Sequence, residues 1–346
     1  MTPADLSRTL VRAVRCAVED GELPAQAGVP GGRVVVERTR PGGVGEYATP
    51  VAFQLAKGAG RRPADVARLL ARRLDRVDGI ERVEITGAGF LNFVLAPPSA
   101  AEVVRAAQAH APRPEYEAQH APEAEAPAVT GLRERAVPEV PAPAVTGLRQ
   151  RAVHEAVLRI RRSQGLAPAP TAAPAAPAPV APVARRDGDV VARYGDAAAR
   201  WAMLTVAPQE TPVFSPALLL QSEPGEFFRV RYAFSRSRAL LRNAAQLGFT
   251  PLPGPPEDTG AGPLLRALTE YPLVLEAAAH HRAPERLARH LVELADALLD
   301  FQYRVLPHGD EKPSAAHRAR LALAEAAGTV LAGGLALLGI DAPERL

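Results

Sequence analysis

Along the first hundred residues the apolar positions alternate between helical and strand spacing. Leu6, Leu10, Val14 and Val18 share one stripe and predict a helix from about Pro3 to Asp20. The β-branched run from Arg33 to Glu37 predicts a short strand, and Gly42-Gly43-Val44-Gly45 a flexible loop. A helix is expected from about Thr49 to Gly58. Pro63 then opens another, with Val66, Leu69, Leu70 and Leu74 as its buried stripe. Ile80 to Leu95 predicts two strands joined at Gly87-Ala88-Gly89. Residues 1–96 therefore predict a compact α+β domain of ordinary size.

Residues 97–185 lack that order. Ala167 to Ala184 is almost wholly Ala and Pro, which forbids both helix and ladder and predicts an extended, semi-stiff linker. Upstream, the octapeptide Ala-Pro-Ala-Val-Thr-Gly-Leu-Arg occurs at 126–133 and again at 142–149. Two copies are too few for a solenoid. They read as a duplication in a tolerant segment or as a docking helix for a protein partner, the second copy running into a helix that ends near Gly165. From Asp196 onward the spacing is helical. Helices are expected over about 226–247 and 262–281, and from Pro284 with Leu287, Leu291, Leu294, Leu298 and Phe301 on one stripe. A last helix spans about 313–338, with Leu321, Ala324, Val330, Leu331, Leu335 and Leu338 inward. Residues 186–346 thus predict an all-α helical bundle.

Composition narrows the function classes. The 35 prolines concentrate in the middle, and net charge is only +3, spread as 14 basic against 11 acidic residues over 1–96, 10 against 8 over 97–185, and 17 against 19 over 186–346. No domain is a polycation, so any nucleic-acid contact must come from local patches. Cys16 is the only cysteine, and the N-terminus carries no basic-apolar leader; both point to the cytoplasm. The longest apolar run, from Ala326 to Ile340, is 15 residues, which predicts a buried terminal helix and no membrane span.

Four stretches resemble the arginyl-tRNA synthetase family. Gly45-Glu46-Tyr47-Ala48-Thr49-Pro50-Val51-Ala52-Phe53-Gln54-Leu55-Ala56-Lys57 is similar to the family's G-D-Y-A-T-N-x-A-x-x-L-A-K, with Pro50 in place of Asn. Gly87-Ala88-Gly89-Phe90-Leu91-Asn92-Phe93 is similar to its G-P-G-F-I-N-F. Arg231-Tyr232-Ala233-Phe234-Ser235-Arg236 resembles Q-Y-A-H-A-R, and Leu338 to Leu346 resembles the ending L-G-I-x-x-P-E-R-M. The first two belong to the family's N-terminal additional domain, which touches the D-loop at the tRNA elbow. The last two belong to its helical anticodon-binding domain of the DALR type, found in class I synthetases. The resemblance covers roughly 1–96 and 190–346 in the family's order.

It implies tRNA contacts at Tyr47, Gly87, Phe90 and Asn92 at the elbow. At the anticodon arm it implies contacts by residues of the Arg231-to-Arg242 helix, by Tyr303, and by Arg345 and Leu346 at the tail. An aromatic such as Phe90 either fills the core or stays exposed to stack on a splayed base, a contact of about 1–3 kcal/mol. Strand alternation puts Phe90 and Phe93 on opposite faces. Arg231, Ser235, Arg238 and Arg242 fall on one helical face, flanked by Tyr232 and Arg236, opposite a stripe of Phe227, Val230, Phe234 and Leu241. No acid occurs from Phe227 to Pro256, which suits phosphate contact as it suits an ordinary solvated face. Gln302 separates Phe301 from Tyr303, where the family has the two aromatics adjacent.

The family's catalytic chemistry has no counterpart. Class I synthetases hold ATP phosphates with His-x-Gly-His and a Lys-Met-Ser-Lys-Ser loop, and none of the eight histidines here forms the first. Ala184 to Val191 resembles a worn lysine loop without lysine, placed before Gly195-Asp196-Ala197-Ala198-Ala199-Arg200-Trp201, which resembles the family's G-x-D-A-x-R-Y. The resemblance therefore implies a catalytically silent paralogue that binds tRNA, with tRNA-Arg the expected species, and no catalytic, cofactor or metal residue is assigned. The other reading is an interaction module that docks a synthetase or another protein partner through the repeat. Residual arginine ligation stands behind both.

Overall fold

The predicted first helix forms over Pro3–Glu19 (α1), burying Leu6, Leu10 and Val14. The computed structural model describes residues 3–27, 34–39, 43–96, 98–110, 146–166, 179–222, 224–257 and 259–346. The chain divides into two compact units, one built on Met1–Ala106 and the other on the greater part of 107–346.

In the first unit a four-stranded antiparallel sheet has the order β1-β2-β4-β3, with β1 Glu37–Arg38, β2 Tyr47–Thr49, β3 Ile80–Thr86 and β4 Phe90–Leu95. The expected 33–37 strand pairs only at its end. Val34 and Val36 are buried, but the carbonyls of Val34 and Val35 accept from Ser7 Oγ (2.7 Å) and Thr49 Oγ1 (2.6 Å), so side-chain donors replace the ladder there. Strand β2 was not predicted. It lies between β1 and β4, with Thr49 opposite Leu91. Helices α2 (Val51–Ala59) and α3 (Pro63–Leu74) bury Val51, Leu55, Val66 and Leu70 in one core with Leu91, Phe93 and Leu95 of β4. A further helix, α4 (Ala100–His110), falls inside the stretch expected to be linker.

The helix expected to run on from the second repeat copy and end near Gly165 is present. Thr146–Ser163 forms α5, which packs on helices of the second unit. Its anchor is Arg149, from the second copy of the repeat, fully buried and donating to the carbonyls of Ala181 (2.8 Å), Met203 (3.1 Å), Val206 (3.3 Å), Ala207 (2.8 Å), Pro208 (3.3 Å) and Glu210. A buried guanidinium is tolerable because its five donors are all directed at acceptors. The first copy, 126–133, and most of the Ala/Pro tract lie outside the described residues.

The rest of the second unit is helical: α6 (Val190–Tyr194), α7 (Asp196–Leu204), α8 (Glu226–Gln246), α9 (Gly262–His281), α10 (Pro284–Phe301) and α11 (Ala315–Leu338). Asp189, in the stretch resembling a worn lysine loop, caps α6 by accepting from the backbone N–H of Val191 and Ala192. Helices α8, α10 and α11 pack on one another. A Cβ at Gly328 would run into Ser237 of α8, and one at Gly334 into Leu291 of α10, so glycine sets the close approach of α11. Helix α11 forms where the last helix was expected; by length and composition it could cross a membrane, but 78% of its most apolar window is buried, as in the core helix the sequence suggested.

Candidate nucleic-acid interface

The elbow residues separate into one that is presented and others that support it. Gly87 (φ +57°) and Gly89 (φ +142°) turn β3 into β4. A Cβ on Gly89 would come 2.9 Å from the backbone of Pro63, so the hairpin tip presses on the start of α3. Phe90 follows and is 44% exposed, while Phe93 is fully buried, which is the division that alternation predicts. Phe90 leans on Phe53 of α2, ring centroids 4.9 Å apart at 55°. Phe53 had not been singled out, although it lies within the resembling segment.

Tyr47 and Asn92 lie behind that surface. Tyr47 is buried in the core, where desolvation pushes its phenol well above the usual tyrosine range. Asn92 is 4% exposed, and its Nδ2 donates to Thr86 Oγ1 at 2.7 Å, pinning the hairpin. Both side chains hold the platform on which Phe90 stands. Residue type carried over from the family, but accessibility did not.

On α8 the buried stripe is Phe227, Val230, Ala233, Phe234, Ser237, Leu240 and Ala244; Leu241, expected within it, is only half-buried. The absence of acids after Glu226 in this helix does not leave its arginines without counter-ions, because other elements supply them. Arg229 pairs with Asp296 of α10 at 2.7 Å, and Arg238 with Glu344 of the tail at 3.2 Å. Ser235 Oγ donates to the Glu344 carbonyl at 3.1 Å. The Arg231 guanidinium lies over the Phe227 ring at 5.3 Å; burial draws it below the usual arginine range, with Asp341 opposing. Glu344 of the tail is therefore held on the polar face of α8 by both its backbone and its side chain.

Around that face Arg236 Nε donates to Gln302 Oε1 at 2.6 Å, which ties α8 to the short turn carrying Tyr303. Tyr303 is 68% exposed and Leu346 50%, and Arg345 is exposed as well. Tyr232 stacks on Phe228 with centroids 5.5 Å apart, and Arg242 is half-buried, with no ion pair among the described residues. The predicted anticodon-side residues are thus brought together. Gln302 and Glu344, which position two of the arginines, were not foreseen, because their partners lie 66 and more than 100 positions away in sequence.

The family model of the arginyl tRNA synthetase N terminal domain matches residues 8–95, and that of the DALR anticodon binding domain matches residues 230–346. Neither covers 96–229. Among solved structures, the Thermus thermophilus arginyl-tRNA synthetase aligns over 99% of this chain and 100% of its own, with 15% identity and a TM-score of 0.59, which shows a shared fold. A Campylobacter jejuni protein assigned as an arginyl tRNA synthetase aligns over 46% of this chain and 35% of its own at 20% identity; its TM-score of 0.38 adds nothing to the argument. These two domains, in this order on this fold, make the chain an arginyl-tRNA synthetase-like protein with an anticodon-binding domain.

Proposed function

We propose that this chain binds tRNA through the elbow-side hairpin and the α8–tail surface without aminoacylating it, and that tRNA-Arg is the species it favours. The observation that carries the reading is the tail docked along α8. It holds Arg345 and Leu346 out to solvent beside a helix bearing Arg231, Arg236, Arg238 and Arg242. Such a face contacts phosphates electrostatically, and each contact adds affinity that salt removes. Two grips on one chain raise the effective concentration of the second once the first is made. Catalytic silence rests on the sequence, which contains neither His-x-Gly-His nor Lys-Met-Ser-Lys-Ser. Species preference is the finer part of the proposal. Phe234 stands where the family has His and is buried, so it packs the core and reads no base.

The test is a gel shift with tRNA-Arg and other tRNAs at stepped salt. The wild-type chain is expected to bind with a clear salt dependence, and Arg236→Gln/Arg242→Gln to weaken binding and flatten that dependence. Binding that ignores salt and survives the double variant sinks the interface. ATP–pyrophosphate exchange driven by arginine sinks the claim of silence.

A further inference from the structure

The geometry points to a phosphate-binding cluster of Lys57, Arg61 and Arg62 beside Phe90, so that the first unit holds one RNA loop segment by a stacked base and its flanking phosphates together. This rests on the tRNA-binding reading above and deepens it.

Four observations place the cluster. Phe53 and Lys57 are one turn apart on α2, hence on the same face, and Phe53 is the residue whose ring meets Phe90. Helix α2 ends at Gly60 in the left-handed conformation, with the Arg61 N–H closing on the Ala56 carbonyl at 3.2 Å, so Arg61 and Arg62 lie in the turn between α2 and Pro63. Pro63 is the residue on which Gly89, next to Phe90, rests. The hairpin tip, the exposed aromatic and the two arginines therefore converge on one corner. Lys57, Arg61 and Arg62 are all exposed, and none forms an ion pair among the described residues. No acid occurs from Tyr47 to Ala64, and the next, Asp65, is held by Arg68 at 2.9 Å.

Three cations without counter-ions around an exposed ring suit single-stranded RNA, whose unstacked bases offer a π-face to the aromatic while the backbone offers phosphates to the charges. A protein ligand would need apolar area around Phe90; beyond Phe53, the exposed residues at the end of α2 and in the turn that follows include the cations Lys57, Arg61 and Arg62. The turn at 61–62 can present guanidiniums to two successive phosphates, with Lys57 as a third point charge.

The two halves of such a grip answer differently to salt. Each lost phosphate contact lowers the slope of log K against log salt by about 0.7–0.9, whereas a lost stack lowers affinity at every salt concentration and leaves the slope alone. The experiment titrates the full chain with unfractionated tRNA over a salt series. It compares wild type, Phe90→Ala, Arg61→Gln/Arg62→Gln, that pair combined with Lys57→Gln, and Arg76→Gln. Arg76 is an exposed cation past the far end of α3, roughly 18 Å from the cluster at the helical rise of about 1.5 Å per residue. The substituted cations are exposed, so the fold should stand, which circular dichroism checks. Expected are a 5- to 150-fold loss with unchanged slope for Phe90→Ala, a slope lower by about 1.4–1.8 for the double variant and more for the triple, and wild-type behaviour for Arg76→Gln. A triple variant whose slope matches that of Arg76→Gln overturns the cluster while leaving tRNA binding intact. A wild-type chain that fails to bind tRNA overturns both.

Discussion

Replacing Arg149 by Met keeps an apolar stem of similar reach and deletes the charge that holds six backbone carbonyls in the second unit. A hydrogen bond from a charged donor contributes about 1.5–3 kcal/mol, and a carbonyl left buried and unpaired costs about 1–3 kcal/mol. Against this stands the relief of several kcal/mol of guanidinium desolvation, which draws Arg149 below the usual arginine range. With half the carbonyls regaining water after relaxation, the net loss is about 3–5 kcal/mol, within the range for breaking a buried charged contact. Trp201 is the only tryptophan and is 2% exposed in α7, two residues before the Met203 carbonyl, so its fluorescence reports this unit directly. In urea, with a slope of about 2–3 kcal/mol per M, the unfolding midpoint should fall by about 1–2 M. Arg149→Lys should lie between, since one ammonium cannot span acceptors that a planar fork reaches. A midpoint within about 0.2 M of wild type would refute the anchoring role and return α5 to the linker.

Three further outcomes follow from single residues. His290 is 3% exposed and burial lowers its pKa to about 4, so the unfolded chain protonates first as pH falls. Its contribution is complete above pH 6.5 and disappears toward pH 4, about 3 kcal/mol in all; His290→Asn should lose less stability than wild type between pH 7 and pH 4, and equal losses contradict this. Gly89→Ala meets both a left-handed φ and the Pro63 backbone and should lower stability of the first unit by more than about 2 kcal/mol. Gly87→Ala, with open space around it, should cost only about 1 kcal/mol, and calorimetric melting separates the two. Glu344→Gln frees Arg238 from a pair that is 43% and 62% exposed and so worth at most about 1 kcal/mol. Binding to tRNA should tighten up to about fivefold with a steeper salt slope, and weaker binding at low salt would show the carboxylate to be part of the grip.

What could be read from the chain was whatever local periodicity dictates. The stripes of α1, α3 and α10 follow from spacing alone, and the placing of Phe90 and Phe93 on opposite faces follows from alternation, whereas which of the two is buried does not. The strand Tyr47–Thr49 was illegible because three residues become a strand only through partners at 37–38 and 91–93. Helix α5 was legible from the second repeat copy onward, but its anchoring was not, because the acceptors of Arg149 lie 32 to 61 positions away. The same limit explains the α8 arginines: the helix contains no acid after Glu226, but folding brings Asp296 and Glu344 to it. Family likeness located the candidate surfaces, whereas burial, which sequence does not show, separates the presented Phe90 from the buried Tyr47 and Asn92.

The central claim, that both units hold one tRNA, is tested most directly by a nuclease footprint of tRNA-Arg with the full chain near saturation. The account predicts protection at the D-loop, lost in Phe90→Ala, and at the anticodon loop, lost in Arg236→Gln/Arg242→Gln. Protection of neither loop, or of the acceptor end alone, would contradict it.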